Sequence, residues 1–324
     1  MAPVVRMESI TKRFGALVAN DRIDFSLEAG ETHALVGENG AGKTTLMRIL
    51  YGQYAPDAGK ILINGEPCSY HVSGALKHGI GMVHQNFMQI DHMSITENII
   101  LGHAPTRADF IDYRAAKEKI RGLLARFGMQ KISPDTPIGN LCVGERQKIE
   151  IIKALYLGAR VLILDEPTAV LTPQETQNLF KILRRMREDG KAIVIITHKL
   201  HEVLTLSDRV SVLRKGQYIG TVNTCETTAE SLTEMMVGKK VSLDIDRPEP
   251  VNPVKRLKVH GLSCVNKEGI PTLSEASFTA YGGEILGIAG IAGSGQKELL
   301  EAIAGLQPTC GGQVTYYPPE GDPE

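Results

Sequence analysis

Apolar stretches with the lengths of strands and helices alternate along most of the chain. Val4 to Leu27 alternates polar and apolar side chains, which predicts antiparallel strands with a turn near Phe14-Gly15. The apolar runs at 161–164 and 192–196 are strand-sized, and helical spacing dominates from Asn86 to about Leu157. Further predicted elements are helices over 113–127, after Gly144 and over 173–187, and strands over 210–213 and 218–222. This alternation predicts an α/β fold with a mostly parallel sheet.

Composition narrows the class of protein. The 324 residues favour two domains, and 42% apolar with 23% charged residues is ordinary for a globular protein. A formal net charge of -1 gives no reason to expect nucleic acid or an anionic membrane as a partner. The five cysteines include no C-x-x-C pair, which argues against zinc or disulfides and suits a reducing cytoplasm. No apolar run approaches the roughly 20 residues that cross a bilayer, so a role at a membrane requires a spanning partner.

A glycine-rich loop supplies the strongest chemical signal. Gly37–Thr44 fits the pattern G-x-x-x-x-G-K-[ST], between an apolar strand at 33–37 and a segment of helical spacing. Glycines let consecutive main-chain N–H groups point inward, where they bind phosphate oxygens together with the positive end of the helix. Lys43 adds a charge at the β- and γ-phosphates, and the Thr44 hydroxyl is a ligand for Mg²⁺. The predicted phosphate-binding residues are Gly37, Glu38, Asn39, Gly40, Ala41, Gly42, Lys43, Thr44 and Thr45.

Two carboxylates follow the apolar strand at 161–164. A carboxylate at the carboxyl end of a parallel strand lies beside the phosphate site of such sheets. We therefore expect Asp165 to hold Mg²⁺ and Glu166 to orient or deprotonate the attacking water. His198 ends another buried strand, and Gln85 follows a short apolar segment. By themselves, these last two residues are more typical of ordinary core or surface positions.

The chain repeats itself after a segment that contains several prolines. Residues 241–255 have little apolar pattern, which predicts a linker. Beyond it, 276–284 resembles 23–31 and Gly290–Gly295 resembles Gly37–Gly42, each at an offset of 253 residues. The sequence therefore predicts a domain over 3–240, a linker over 241–255 and the start of a second copy over 256–324.

The second glycine loop lacks the chemistry of the first. Gln296 stands where Lys43 does, and Lys297 stands where Thr44 does. Both the ammonium group and the hydroxyl of the motif are therefore missing. A structural or regulatory use of this loop is favoured over catalysis.

Taken together, these motifs resemble the nucleotide-binding subunit of ABC transporters, over Val4 to about Lys240. Phe14 matches the aromatic residue that stacks on adenine in that family, Gln85 matches its Q-loop and His198 its switch histidine. Residues 169–172 match its D-loop. The family signature, which acts across a dimer, corresponds to Leu141, Cys142, Val143, Gly144 and Glu145.

The resemblance implies a P-loop NTPase fold of the ABC type, in which a mostly parallel sheet carries antiparallel β and α-helical subdomains. It implies ATP and Mg²⁺ as ligands, with Thr44, Gln85 and Asp165 at the metal. Gln85 would also relay to the membrane subunit. His198 would contact the γ-phosphate, so Glu166 and His198 are the predicted catalytic residues.

The tandem arrangement and the motifs at 96–102 and 166–173 look like the ATPases of bacterial simple-sugar and nucleoside importers. Such ATPases are peripheral proteins at the cytoplasmic face of the plasma membrane. The implied partners are membrane-spanning permease subunits and, indirectly, an extracytoplasmic solute-binding protein. The transported solute is not readable from this chain.

Three positions depart from the family pattern. Cys142 replaces the signature serine, and a thiol is a weaker hydrogen-bond donor than a hydroxyl. Thr172 replaces the D-loop aspartate. The second copy stops before its own signature, although in this family ATP sits between two domains. The expectation is either a truncated chain or two copies that pair their first domains.

Two other classes of function stay open at this point. A nucleotide-binding protein that does not hydrolyse ATP is favoured by Cys142 and by the missing second signature, but disfavoured by the intact Asp165, Glu166 and His198. A tandem ATPase acting on ribosomes or DNA predicts two working loops and a long basic linker. The chain has Gln296 in its second loop and a short linker that contains prolines.

Overall fold

The computed structural model describes residues 3–68, 71–85, 87–107, 110–239, 253–266, 268–290 and 293–318. The chain divides into two compact units, Met1–Val241 and Ser242–Glu324. The predicted linker over 241–255 lies outside the described residues, apart from its last three positions.

The first unit begins with strands and continues with alternating helices and strands. Its strands are β1 (Val5–Phe14), β2 (Leu17–Leu27), β3 (Thr32–Val36), β4 (Ala58–Ile63), β5 (Glu66–Pro67), β6 (Ile80–Val83), β7 (Thr106–Arg107), β8 (Phe110–Ile111), β9 (Val161–Asp165), β10 (Ala192–Ile196), β11 (Arg209–Arg214) and β12 (Gln217–Asn223). Its helices are α1 (Lys43–Leu50), α2 (Val72–Lys77), α3 (Ile95–Ile100), α4 (Tyr113–Arg126), α5 (Val143–Tyr156), α6 (Pro173–Glu188), α7 (Leu200–Leu206) and α8 (Ala229–Val237). Within the described parts of the chain, no helix combines the length and apolarity needed to cross a bilayer.

The central sheet is mostly parallel, as predicted. Its strand order is β12-β11-β3-β10-β9-β6, with β12 antiparallel to β11 and the other neighbours parallel. Every residue of β3, β9 and β10 is buried, which is typical of strands covered on both faces. Ile196 of β10 pairs with Leu35 of β3 and with Asp165 of β9, so the three strands end level with one another. The residues that follow these strands therefore meet at one edge of the sheet.

Helix α1 lies between the central sheet and an antiparallel sheet. The second sheet has the order β2-β1-β4-β5, and the turn between β1 and β2 falls at residues 15–16, as the sequence predicts. One core joins α1 to both sheets, with the buried side chains Leu46, Met47, Ile49, Leu50, Ile61, Ile63, Ile163 and Val194. On the opposite face, α3 to α6 pack against Leu162, Leu164, Ile193 and Ile195. Because alternate residues of β9 and β10 face different cores, both strands are apolar at nearly every position.

A few elements differ from the sequence-based predictions. Helix α5 begins at Val143 rather than after Gly144, and the β7–β8 hairpin interrupts the segment predicted as helical from 86 to 157. Asn86 itself lies outside the described residues. The apolar pattern did not predict α2, β6, α7 or α8. These elements have between four and nine residues, too few to establish a period.

A buried ionic network joins β3 to β11. The guanidinium of Arg209 donates from Nε and Nη2 to the two carboxylate oxygens of Glu31, at 2.7 and 2.9 Å. His33 lies 3.0 Å from Glu31 through Nδ1 and 2.8 Å from the Ser211 hydroxyl through Nε2. Burial by itself raises the pKa of Glu31, but hydrogen bonds from His33, Arg209 and the Glu28 amide lower it from 4.5 to about 2. The network therefore stabilises the pairing of two central strands.

The second unit repeats elements of the first at the offset seen in the sequence. It contains β13 (Lys255–Val265), β14 (Pro271–Tyr281), α9 (Gln296–Ile303) and β15 (Gly311–Tyr316), and the strands form an antiparallel sheet of order β14-β13-β15. Helix α9 begins and ends 253 residues after α1. Strand β15 likewise begins and ends 253 residues after β4. Residues 285–289, the counterparts of β3, form no strand and expose Ile285 and Ile288.

The Glu31 network gives a prediction about acid stability. We expect Glu31→Gln to lower the free energy of unfolding at pH 7 by about 3 kcal/mol. A folded-state pKa that lies below the unfolded value stabilises the fold fully above about pH 4.5, and this stabilisation disappears as the pH falls towards about 2. Urea denaturation of both proteins from pH 7 downwards measures the difference, which should shrink below pH 4.5.

Glu66→Gln is the matched control, because Glu66 is an exposed carboxylate on the short strand β5. Its effect should stay within about 0.5 kcal/mol of the parent at every pH. A difference for Glu31→Gln that is the same at pH 7 and near pH 2.5 would contradict the role assigned to its lowered pKa.

Candidate functional site

A cavity of about 800 Å³ opens at the carboxyl edge of the central sheet. It contains the glycine loop after β3, the carboxylates after β9 and the histidine after β10. The lining residues are Phe14, Leu17, Val18, Ala19, Asn39, Gly40, Ala41, Gly42, Lys43, Thr44, Thr45, Gln85, Asp165, Glu166, Ile196, His198 and Lys215. Of the residues predicted for the loop, Gly37 and Glu38 do not line the cavity; their carbonyl groups contact Lys43 instead.

The loop between β3 and α1 requires glycine at two positions for two reasons. Gly37 has a φ of 153° and Gly42 a φ of 95°, a region that other residues rarely adopt. A Cβ atom at Gly37 would collide with the carbonyl oxygen of Leu213, and one at Gly42 with that of Ala19. Asn20, fully buried, also donates from Nδ2 to the Gly42 carbonyl at 3.1 Å. Neighbouring strands therefore hold the loop in a fixed conformation.

Lys43 is a buried cation at the start of α1. Its side chain is 7% exposed, and Nζ donates to the carbonyl oxygens of Gly37 at 2.7 Å and Glu38 at 2.9 Å. Burial lowers the pKa of Lys43, while the charges of Glu166 and Asp165 oppose that change. An ammonium at the first residue of a helix, where main-chain N–H groups have no partner within the helix, attracts a polyanion.

Asp165 and Thr44 lie together on the floor of the cavity. The Thr44 hydroxyl donates to Oδ1 of Asp165 at 3.3 Å. Burial raises the pKa of Asp165, and Glu166 adds to the rise, whereas the hydrogen bond from Thr44 opposes it. These two groups supply hard oxygen ligands, which Mg²⁺ prefers. No cluster of three acidic, histidine or cysteine residues suited to a metal occurs in the described residues.

Glu166 joins Gln85 and His198 into one polar group. Its Oε2 accepts from Nε2 of Gln85 at 3.1 Å, and its Oε1 lies 3.1 Å from Nδ1 of His198. The backbone of Glu166 has a φ of 47°, an uncommon conformation for a residue with a side chain, and its N–H donates to the Ile196 carbonyl. This conformation turns the carboxylate of Glu166 into the cavity, beside the residues that follow β10.

A third carboxylate, which the sequence patterns did not reveal, joins the two turns that carry Glu166 and His198. Glu202 of α7 is 6% exposed. Its carboxylate accepts from the hydroxyl of Thr168 at 2.6 Å and from that of Thr197 at 3.3 Å. Lys199 lies 3.3 Å from the same carboxylate and donates to the carbonyl of Thr168 at 3.0 Å. Because α7 was not predicted, no signal linked Glu202 to the site.

The opposite end of the cavity is less polar. Phe14 is 43% exposed and packs edge-on against Tyr54, with ring centroids 5.4 Å apart. Leu17 beside it is 66% exposed. Lys215, from the turn between β11 and β12, also lines the cavity. The sequence predicted the strands that flank this turn but not that the turn approaches the glycine loop.

The signature residues lie at the start of α5 and, among the described residues, do not line this cavity. Leu141 is buried, whereas Cys142 is exposed and its N–H donates to Glu145 at 2.9 Å. A Cβ atom at Gly144 would collide with the carboxylate of Glu175. Val143 is 44% exposed. The start of α5 is therefore partly exposed at the surface and does not face the Lys43 cavity.

Thr172 has a defined structural role at the position where the sequence departs from the D-loop pattern. It is the N-cap of α6, and Glu175 completes a capping box by accepting from the amide and the hydroxyl of Thr172, both at 2.9 Å. The capping box gives hydrogen-bond partners to polar groups at the helix start that would otherwise lack them.

The last glycines of the second loop keep the conformation of their counterparts in the first loop, but the charge that follows them is different. Gly293 and Gly295 have φ values of 83° and 85°. A Cβ atom at Gly295 would approach the carbonyl of Thr272, the residue 253 positions after Ala19. Gln296 donates from its amide to the Ile288 carbonyl at 3.0 Å, in the place of the buried ammonium. The conformation of the glycines before α9 is therefore retained, while the electrostatic part of the motif is lost.

Comparison with known proteins places the first unit in a family. Residues 20–169 match the ABC transporter family. The chain is 43% identical over 315 residues to the nucleoside import ATP-binding protein NupA of Lactococcus lactis, and 40% identical over 315 residues to the ribose import ATP-binding protein RbsA 3 of Rubrobacter xylanophilus. Each alignment includes 97% of this chain and 62% of the relative. The chain therefore spans less than two thirds of the length of these relatives.

Solved structures agree with this assignment. CbiO1 of Clostridium perfringens, described as part of the ABC transporter complex cbiONQ, is 27% identical and superposes with a TM-score of 0.63 over 74% of this chain and 95% of that one. MJ1267 in its ADP conformation, an ATP-binding cassette of an ABC transporter, has the same fold at a TM-score of 0.63 and 23% identity, over 73% of this chain and 96% of that one. The first unit of the chain is an ABC transporter ATP-binding domain.

Proposed function

We propose that the chain binds ATP with Mg²⁺ at the Lys43 cavity and hydrolyses it to drive an importer. The observation that carries the proposal is the convergence of three groups in one cavity. Lys43 lies over the loop carbonyls, Thr44 contacts Asp165 at 3.3 Å, and Glu166 lies 3.1 Å from His198. This combination matches what phosphoryl transfer requires, namely positioning and charge stabilisation.

Each group has a separate task in this proposal. The amides of the glycine loop and Lys43 bind the β- and γ-phosphates. Glu166, oriented by Gln85 and His198, aligns the water that attacks the γ-phosphate, and His198 also contacts that phosphate. Phe14 stacks on the adenine ring. Thr44, Gln85 and Asp165 would hold Mg²⁺, which would neutralise part of the charge on the phosphates.

The site needs a second surface to close over the γ-phosphate. The signature residues 141–145 lie outside the cavity, at the exposed start of α5. We infer that the signature of another ABC domain, from a second copy or from a longer form of this protein, completes the site. Cys142 then offers a thiol where a hydroxyl would donate a stronger hydrogen bond.

The relatives suggest the transported class. NupA and RbsA 3 are named for the import of nucleosides and of ribose. We propose that this chain powers import of a nucleoside or simple sugar, as a peripheral protein at the cytoplasmic face of a bacterial plasma membrane. Its partners would be membrane-spanning permease subunits and, through them, an extracytoplasmic solute-binding protein. Nucleic acid is not among the proposed partners.

A second candidate is a nucleotide-binding protein that does not hydrolyse ATP. The exposed thiol of Cys142 favours it, because the signature then grips a γ-phosphate less firmly. Mg²⁺-dependent release of phosphate from the purified chain separates the two candidates. ATP binding without phosphate release would support the second candidate and remove hydrolysis from the proposal.

The buried ammonium gives the first prediction about the site. Lys43→Ala should weaken ATP binding by about ten- to a hundred-fold, because charge-assisted hydrogen bonds to phosphate contribute about 1.5–3 kcal/mol. Isothermal titration calorimetry of ATP with Mg²⁺ measures this change.

The control for that experiment is Lys297→Ala. Lys297 occupies the second residue of α9, and its side chain is 78% exposed. Its removal should leave ATP affinity within about two-fold of the parent, since it is not part of a complete phosphate-binding motif. Equal ATP affinity of the parent and Lys43→Ala would contradict the proposed role of the glycine loop.

The carboxylate after β9 gives a separate prediction about turnover. Glu166→Gln should bind ATP within about three-fold of the parent but lose turnover by about 10²–10⁴-fold, the usual contribution of a positioned general base. Single-turnover phosphate release and calorimetry, performed on the same preparation, distinguish the two effects.

Glu188→Gln serves as the matched control for Glu166, because Glu188 is an exposed carboxylate at the end of α6. It should leave both ATP binding and turnover unchanged. If Glu166→Gln hydrolysed ATP at the parental rate, Glu166 would have no part in the mechanism.

A further inference from the structure

We propose that Lys215 is a nucleotide-binding residue, whose ammonium contacts the ribose or the α-phosphate. This inference rests on the proposed function, because it concerns the same cavity. Lys215 lines that cavity together with Phe14, Leu17 and Val18. It lies outside residues 20–169, which match the family, and it belongs to none of the motifs identified in the sequence.

The turn that carries Lys215 has a demanding backbone. Strand β11 ends at Arg214 and β12 begins at Gln217, so Lys215 and Gly216 form a two-residue hairpin loop. Their φ values are 51° and 77°. Two successive positive φ values define a type I′ turn, for which asparagine or aspartate before glycine is the preferred pair. A lysine at the first position is therefore a poor choice for the turn itself.

Contacts with the glycine loop and with β2 hold this turn in place. The N–H of Gly216 donates to the Ala41 carbonyl at 3.2 Å, and the Gly216 carbonyl accepts from the N–H of Asp21 at 2.8 Å. A Cβ atom at Gly216 would lie 2.9 Å from the carbonyl oxygen of Val18, too close for any other residue. The base of the Lys215 side chain is therefore fixed beside the phosphate-binding loop.

The strand order shows which part of a nucleotide Lys215 would meet. Lys215 follows β11, and the carboxylates of the site lie at the end of β9 and directly after it, with β3 and β10 between the two positions. Three strand spacings of about 4.8 Å separate the two positions by about 14 Å. If the γ-phosphate lies near Glu166, the other end of the cavity receives the adenine, the ribose and the α-phosphate. Phe14 pairs with Leu17 at the turn before Val18, and the carbonyl of Val18 lies beside Gly216.

The charge of Lys215 has no partner within the described part of the protein. Among the described residues, its side chain makes no hydrogen bond or ion pair, and it is exposed. Lys43, the other lysine of the cavity, is occupied by the carbonyls of Gly37 and Glu38. An unpaired ammonium at the edge of a cavity that takes a polyanion is available to bind it.

The placement of Lys215 predicts a specific kinetic pattern. An interaction with the ribose or α-phosphate is equally strong for ATP and ADP and does not change when the γ-phosphate reacts. Such uniform binding affects the Michaelis constant and leaves the turnover number unchanged. Lys43, at the β- and γ-phosphates, should instead distinguish the two nucleotides.

The test is Lys215→Asn, studied in the full chain with Mg²⁺. Asparagine suits the first position of a type I′ turn, so the variant removes the ammonium without weakening the hairpin. We expect the dissociation constants of ATP and ADP, measured by calorimetry, to rise by the same factor of about three to ten. The factor should decrease at high salt, because the lost interaction is electrostatic and partly exposed.

Two further variants complete the experiment. Lys215→Arg keeps the positive charge and should bind both nucleotides within about two-fold of the parent. Lys131→Asn removes a charge from an exposed loop outside the cavity and should have no effect. With both controls, a weaker affinity of Lys215→Asn is attributable to the ammonium at this position.

The binding measurements distinguish a failure of the Lys215 proposal from a failure of the proposed function. If the parent binds ATP and Lys215→Asn binds it as tightly, Lys215 has no role and the proposed function is unaffected. If Lys215→Asn weakens ATP binding much more than ADP binding, the ammonium lies at the γ-phosphate and its placement at the ribose or α-phosphate is wrong. If the parent chain binds neither nucleotide, the proposed function fails and this inference fails with it.

Discussion

The functional site depends on the position of β3 at the centre of a parallel sheet. Strands β11 and β10 flank β3, and β9 lies one strand further, with the ends of β3, β9 and β10 level at one edge. Because parallel strands deliver their following loops to the same edge, residues distant in sequence come within hydrogen-bonding distance. The apolar cores on both faces hold these strands in place, and the ion pair between buried Glu31 and half-buried Arg209 joins the start of β3 to β11.

Conformational strain and buried charge both occur at this edge. Glu166 has a positive φ, and Gly37 and Gly42 are crowded by carbonyl groups of neighbouring strands. Burial acts on the two charges of the site in opposite directions: it lowers the pKa of Lys43 and raises that of Asp165. Both shifts disfavour the charged forms and would be relieved by a ligand that brings opposite charge. The site is thus organised in advance for a polyanion and a cation.

The two units show that a backbone turn and its chemistry are separable. The glycines before α1 and α9 have nearly the same φ, and in both units a carbonyl 23 residues earlier excludes a Cβ atom. Yet the first residue of the helix is a buried lysine in one unit and an amide side chain in the other. The fold therefore constrains the loop, while side chains at one or two positions decide whether it can bind a triphosphate.

Local patterns in the sequence determined the elements and the principal chemical groups. Three features are local patterns of neighbouring residues and can be recognised without the tertiary structure. They are the glycine spacing around Lys43, the apolar strand before Asp165 and the alternation in β1 and β2. Short elements such as β6 and α7 contain too few residues to establish a period. Only packing between distant segments brought Glu202 to the turns after β9 and β10, and Lys215 to the glycine loop. Their positions follow from strand order and helix docking, which depend on contacts between segments far apart in the chain.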